Sequence, residues 1–326
     1  MKKFEPILKH FDEILDYDNN VIFAKKNHKK TLCKEFGKAN VNKNHNDEIN
    51  DFVGGISRKH FYLCKSESLK ELFDELIKPN CSYKTCYNDI IINEYKGDGV
   101  FPIEYVPVLV KEVEPIEFYL EEFCSKLSNF LQIPTAFYKF FKKDNDYYSL
   151  SVDFIKYGYT LESLKRKYII NFTEEMISAC KRLPHAKEIV SNFIDQLLFR
   201  TLIIKDSDFG CHNIGILKSK KSVELAPNFD MALSLSYCRY NEEYLVLYLA
   251  KFYNQQLSKF CSKIKNVVDN NLLTPDVFEN VNIFEDNSLE IKQEFIDSIL
   301  ENMKEFLELY EKINTKLKIN NREYLK

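Results

Sequence analysis

Tryptophan is absent from this chain, and glycine occurs only 8 times in 326 residues, which excludes collagen-like and glycine-rich low-complexity classes. Long apolar runs are missing too. The most apolar stretch, Tyr244–Ala250, falls far short of the roughly 20 residues that span a bilayer. The N-terminal segment MKKFEPILKHFDEILDYDNN is charged every few residues and lacks the apolar centre of a signal peptide. The chain is expected to be cytoplasmic as synthesised and not embedded in a membrane, so any export would use a signal-less route. Charge of one sign is not in excess either: 46 Lys and Arg stand against 49 Asp and Glu, a net charge of −3. That balance argues against a protein that coats nucleic acid.

Cysteine is present without a chemical pattern. The 9 cysteines are scattered, none forms a Cys-x-x-Cys pair, and Cys81 with Cys86 has no second pair nearby to complete a zinc site. Such usage fits a reducing compartment. The 6 histidines show no metal-ligand spacing and there is no Gly-x-Ser-x-Gly, so zinc and serine hydrolases are disfavoured.

With 45% hydrophobic and 29% charged residues the chain is a folded globular protein, large enough for a sizeable core. Its first half reads as strand-rich. A short amphipathic helix over 1–20 leads to strand signals over 21–65, a helix over 68–77, and strands at 89–92 and 106–110. Pro115 opens a helix to about Leu131, with Phe118, Leu120, Phe123, Leu127 and Phe130 on one face. Strand signals follow at 135–141 and 147–155. Helical patterns then dominate, over 160–169, 173–181, 185–202, 241–268 and 288–316. They are interrupted by an irregular interval, 205–236. The expected architecture is α+β with two lobes, a β-rich one over 1–155 and a mainly helical one over 156–326. Proteins of this layout commonly bind ligands between their lobes.

The polar residues of chemical interest gather in the irregular interval. Asp208-Phe209-Gly210-Cys211-His212-Asn213 follows an apolar helix, and Leu225-Ala226-Pro227-Asn228-Phe229-Asp230 follows a short hairpin. Phosphoryl transfer from a nucleotide needs a carboxylate to orient the acceptor hydroxyl. It also needs oxygen ligands to hold Mg²⁺ on the phosphates. In this order Asp208 is the candidate base, with Asn213 and Asp230 as candidate metal ligands; Asp206 is a rival to Asp208. Asp and Asn are also common loop residues, so the spacing alone is weak. The string Asp208-Phe209-Gly210 is not read as a metal-binding motif, because no Asp and Asn pair of the required spacing precedes it.

In these two segments the sequence resembles the HipA-like serine/threonine kinases, and within them the short, stand-alone CtkA type. Two departures are visible: His212 sits two positions late in the first segment, and Phe229 stands where a Tyr is usual in the second. The resemblance implies a protein-kinase-like fold and an ATP- and Mg²⁺-dependent kinase acting on serine or threonine of a protein substrate, with autophosphorylation. It further implies that Lys111, closing the strand Val108-Leu109-Val110, reaches the nucleotide phosphates with Glu117 or Glu121 as its partner. Gly54-Gly55-Ile56-Ser57-Arg58-Lys59 resembles the family's phosphate loop, making Gly54, Gly55 and Lys59 phosphate-binding candidates and Ser57 a candidate phosphorylation site. Asp153 and Ile155 fall where backbone groups would meet adenine. The family's themes are a bacterial effector acting on host-cell proteins and a toxin kinase paired with an antitoxin. Two rivals stand beside this reading, a small-molecule phosphotransferase of the aminoglycoside or choline type and a non-catalytic pseudokinase.

Overall fold

The computed structural model describes residues 59–65, 105–112, 115–136, 138–143, 146–152, 160–163, 172–210, 213–218, 223–235, 241–279, 281 and 288–323. The readings made above for 1–58, 68–77 and 89–92 lie outside them. The chain divides into two compact units, Met1–Leu164 with Cys211–Ala232 and Asn280–Phe284, and Lys165–Gly210 with Leu233–Glu279 and Glu285–Lys326. Among the described residues, antiparallel strands lie in the first unit and most of the helices in the second, an α+β arrangement. Among the described residues no helix is long and apolar enough to cross a membrane.

In the first unit, strands β1 (Lys59–Lys65), β2 (Tyr105–Glu112), β3 (Tyr138–Lys143) and β4 (Asp146–Val152) form an antiparallel sheet of order β1-β2-β4-β3. Helix α1 (Pro115–Phe130) packs on β3 and β4. Phe123, Cys124 and Leu127 of α1 are buried, as the amphipathic pattern predicts. The helix ends in a Schellman turn: Gln132 takes a left-handed φ of 54° and the Ile133 amide donates to the Ser128 carbonyl at 2.8 Å. A second sheet joins β5 (Thr160–Ser163), β6 (Gly215–Lys218) and β7 (Val223–Leu225) in that order.

Strand β5 corrects the helical reading of 160–169 at its start. Thr160-Leu161-Glu162-Ser163 fits a helical repeat, yet its backbone groups pair with Lys218-Leu217-Ile216-Gly215 in register. A ladder to a distant segment overrides local periodicity.

The second unit holds α2 (Phe172–Lys181), α3 (Ala186–Leu198), α4 (Glu242–Phe252), α5 (Asn254–Asp269) and α6 (Ser288–Glu323). Phe193, Leu197, Leu257, Phe260, Ile299 and Met303 lie in its core, and the rings of Phe260 and Phe306 meet edge to face. The run read as one helix over 241–268 is two helices. Tyr253 leaves helical geometry at φ −141° and ψ 35°, and Lys181 caps its ring face at 5.1 Å. Helix α3 does not stop at Leu198 but widens into a π-turn, Phe199–Ile203. Such turns leave carbonyls without their usual partner. The Asn302 amide of α6 donates to the Ile203 carbonyl at 2.8 Å.

Candidate active site

A lysine in the middle of a sheet is costly unless its charge is matched. Lys111 of β2 is 7% exposed, and two carboxylates meet its ammonium: Glu121 Oε1 of α1 at 3.3 Å and Asp230 Oδ1 at 3.0 Å. Burial alone would favour the neutral amine. The two carboxylates outweigh burial and raise the lysine above its ordinary range. The other Glu121 oxygen accepts from Ser149 Oγ at 3.3 Å, and Ser149 is the register partner of Lys111 on β4. One face of the sheet therefore supplies both the cation and the hydroxyl that orients its partner.

The two carboxylates differ in access. The Glu121 side chain is 1% exposed, whereas that of Asp230 is 36% exposed. Asp230 has a left-handed φ of 58°, a conformation Asp tolerates better than most residues. Its amide donates to the Tyr138 hydroxyl of β3 at 2.9 Å. Just before it, Asn228 is stitched by backbone bonds to the segment ahead of β3, its amide donating to the Pro134 carbonyl at 2.8 Å and its carbonyl accepting from the Ala136 amide at 2.7 Å. Asp230 is thus presented from a fixed backbone. Asn213, 5% exposed, precedes β6 in the same unit.

In the second unit the loop after the π-turn carries two aspartates with opposite environments. Asp206 is fully buried. Its Oδ2 accepts from Arg200 Nε at 2.7 Å and from the second guanidinium nitrogen, and its Oδ1 accepts from the Asp208 amide at 3.0 Å. Asp208 itself is half-buried. Of the two rival candidate bases, Asp206 is sealed in a buried ion pair and Asp208 keeps access to solvent.

Oxygen donors suit a hard cation such as Mg²⁺, which takes one or two protein ligands and completes its shell with phosphate and water. An Asn213 amide and a partly exposed Asp230 carboxylate fit that donor class. Among the described residues no group of three or more His, Cys, Asp or Glu side chains is placed to hold a metal.

Of the other residues singled out in the sequence, Gly54, Gly55, Ser57, Asp153, Ile155 and His212 lie outside those described. Lys59 stands at the register position opposite Lys111 on β1. Glu117 lies on α1 one turn before Glu121, and it is Glu121 that meets the lysine. Three residues escaped the sequence reading. The hydroxyls of Ser149 and Tyr138 leave no trace in a motif. Arg200 does leave one: a cation inside the apolar run Leu197-Leu198-Phe199-Arg200-Thr201-Leu202-Ile203 implies a buried acid nearby.

No family model matches the chain, and no curated protein is similar to it in sequence. Among solved structures the chain is similar to HipA of Shewanella oneidensis MR-1, from a toxin–antitoxin complex with HipB and operator DNA. That match has a TM-score of 0.48 and 10% identity over 63% of this chain, and the chain spans 60% of the HipA chain. It is also similar to CtkA, a proinflammatory kinase of Helicobacter pylori, with a TM-score of 0.46 and 14% identity over 64% of this chain and 91% of CtkA.

Proposed function

We propose that this chain is a HipA-like kinase that transfers the γ-phosphoryl group of ATP to serine or threonine of a protein. The observation that carries the proposal is the three-way contact of Lys111 with Glu121 and Asp230. A buried sheet lysine with one sealed carboxylate and one accessible carboxylate suits the binding of nucleotide phosphates. The sealed acid holds the ammonium in place, and the accessible one serves the metal ion that travels with the phosphates.

In this reading Lys111 binds the α- and β-phosphates, Glu121 fixes its position, and Ser149 fixes Glu121. Asn213 and Asp230 would hold Mg²⁺, which neutralises charge on the phosphates when bound. Asp208 orients the acceptor hydroxyl and takes its proton. The stretch 54–59 covers the phosphates and backbone groups of Asp153 and Ile155 meet adenine. Ser57 is the proposed autophosphorylation site. The protein substrate is proposed to lie in a host cell, the chain acting as a bacterial effector; a toxin kinase held by an antitoxin is the other role of this family.

The acceptor class is open to direct test. The chain is incubated with labelled ATP and Mg²⁺ beside serine- and threonine-containing peptides and small amino alcohols. Label on peptide hydroxyls or on the chain itself is expected. Label only on the amino alcohols would assign a small-molecule phosphotransferase. Nucleotide binding without transfer to any acceptor would leave a pseudokinase.

A further inference from the structure

Asp208 stands between two residues that one guanidinium holds. Before it, Asp206 accepts from Arg200 on Oδ2, and its Oδ1 accepts from the Asp208 amide at 3.0 Å. After it, Phe209, 3% exposed, lays its ring under the same guanidinium, with Arg200 Cζ 4.7 Å from the ring centroid. Arg200 is itself anchored: it lies within the π-turn, and its carbonyl accepts the Asp206 amide at 2.8 Å. Both Arg200 and Asp206 are fully buried.

A buried ion pair of this kind is weak evidence of a stabilising role. Buried ion pairs replaced by apolar residues of similar volume commonly leave a protein as stable or more so. A carboxylate gripped on one oxygen by a planar fork does something an apolar pair cannot. It aims its other oxygen in a set direction. Here that direction is the Asp208 amide.

We infer that Arg200 and Asp206 are positioning residues for Asp208, and that the acceptor which Asp206 offers to the Asp208 amide is what fixes the loop. The kinetic part of this inference rests on the proposed phosphoryl transfer; the structural part does not.

Two double variants separate the acceptor from the buried charge. R200M/D206L is apolar and removes the acceptor, whereas R200Q/D206N is neutral and keeps an amide oxygen for Asp208. Both are followed by amide hydrogen exchange at Asp208, by kcat and KM for ATP, and by thermal melting. In R200M/D206L the Asp208 amide is expected to exchange at least about tenfold faster and kcat to fall about 10- to 100-fold. KM for ATP and the melting temperature are expected to stay near wild type. R200Q/D206N is expected to stay within about threefold of wild type in both exchange and kcat. Equal behaviour of the two variants would overturn the inference. Should R200M/D206L not fold, the wild type decides. Its Asp208 amide, on a half-buried residue, is expected to exchange at least about tenfold slower than in an unstructured peptide, and unprotected exchange would refute the claim. A wild type that transfers no phosphate would sink the kinase reading, while the exchange contrast would still decide the positioning role.

Discussion

Lys111 and Arg200 do the same task under different conditions. Each is a buried cation gripping a carboxylate beside a loop of proposed catalytic importance. The Arg200 pair is closed: both partners are fully buried, and the carboxylate spends its second oxygen on the backbone. The Lys111 cluster is open on one side. Glu121 is sealed, but the Asp230 side chain is 36% exposed. A closed pair can only hold a shape, whereas an open one can exchange partners. The contrast separates a fixture from a proposed ligand site without reference to any relative.

The largest stability effect should come from breaking the closed pair. Arg200→Met strands the Asp206 carboxylate without a counter-charge, at a cost of about 3–5 kcal/mol. Urea unfolding at neutral pH measures it. Lys111→Met strands Glu121 in the same way and should cost about 3 kcal/mol, the lower end of that range, because the cluster opens to solvent on its Asp230 side. Adding Glu121→Gln to that variant should recover part of the loss. Equal costs at the two sites would erase the distinction between closed and open.

Helix α1 and strand β2 were legible because their patterns are local: Pro115 at a helix start, apolar residues at helical spacing, and a β-branched strand with Lys111 near its end. The order Asp208, Asn213, Asp230 is likewise a local pattern, and the proposed roles of these residues rest on it. The choice between Glu117 and Glu121 was not. They lie four residues apart, hence on one helix face, and only the seating of α1 on β4 decides which meets the lysine. The pairing of β5 with β6 was hidden likewise, since its ladder partner lies far along the chain. Tyr253 carries no proline or glycine to announce the break between α4 and α5. The sealed state of Asp206 depends on a π-turn that no residue in Phe199–Ile203 signals.

A pH series gives a smaller and more selective test of the open cluster. Lys111 is held above its ordinary pKa of 10.5 in the folded chain. Between that value and its raised one the folded state binds more protons than the unfolded state, so stability falls as pH rises. The difference in unfolding free energy between wild type and the Lys111→Met/Glu121→Gln variant, which leaves no stranded Glu121 charge, should be flat near neutrality and shrink only above about pH 10.5. A decline nearer neutrality would mean the two carboxylates do not support the ammonium. Smallest of all, Tyr138→Phe removes the hydroxyl that accepts the Asp230 amide and should cost about 1 kcal/mol or less by the same unfolding assay.

The central claim is that Asp208 and Asp230 serve one phosphoryl transfer, and labelled ATP with Mg²⁺ tests it most directly. Wild type, Asp208→Ala and Asp230→Ala are compared for phosphate incorporation, with circular dichroism confirming that each is folded. Wild type should incorporate label, and each variant should lose at least about 100-fold in rate. Wild-type rates in either folded variant would contradict the account.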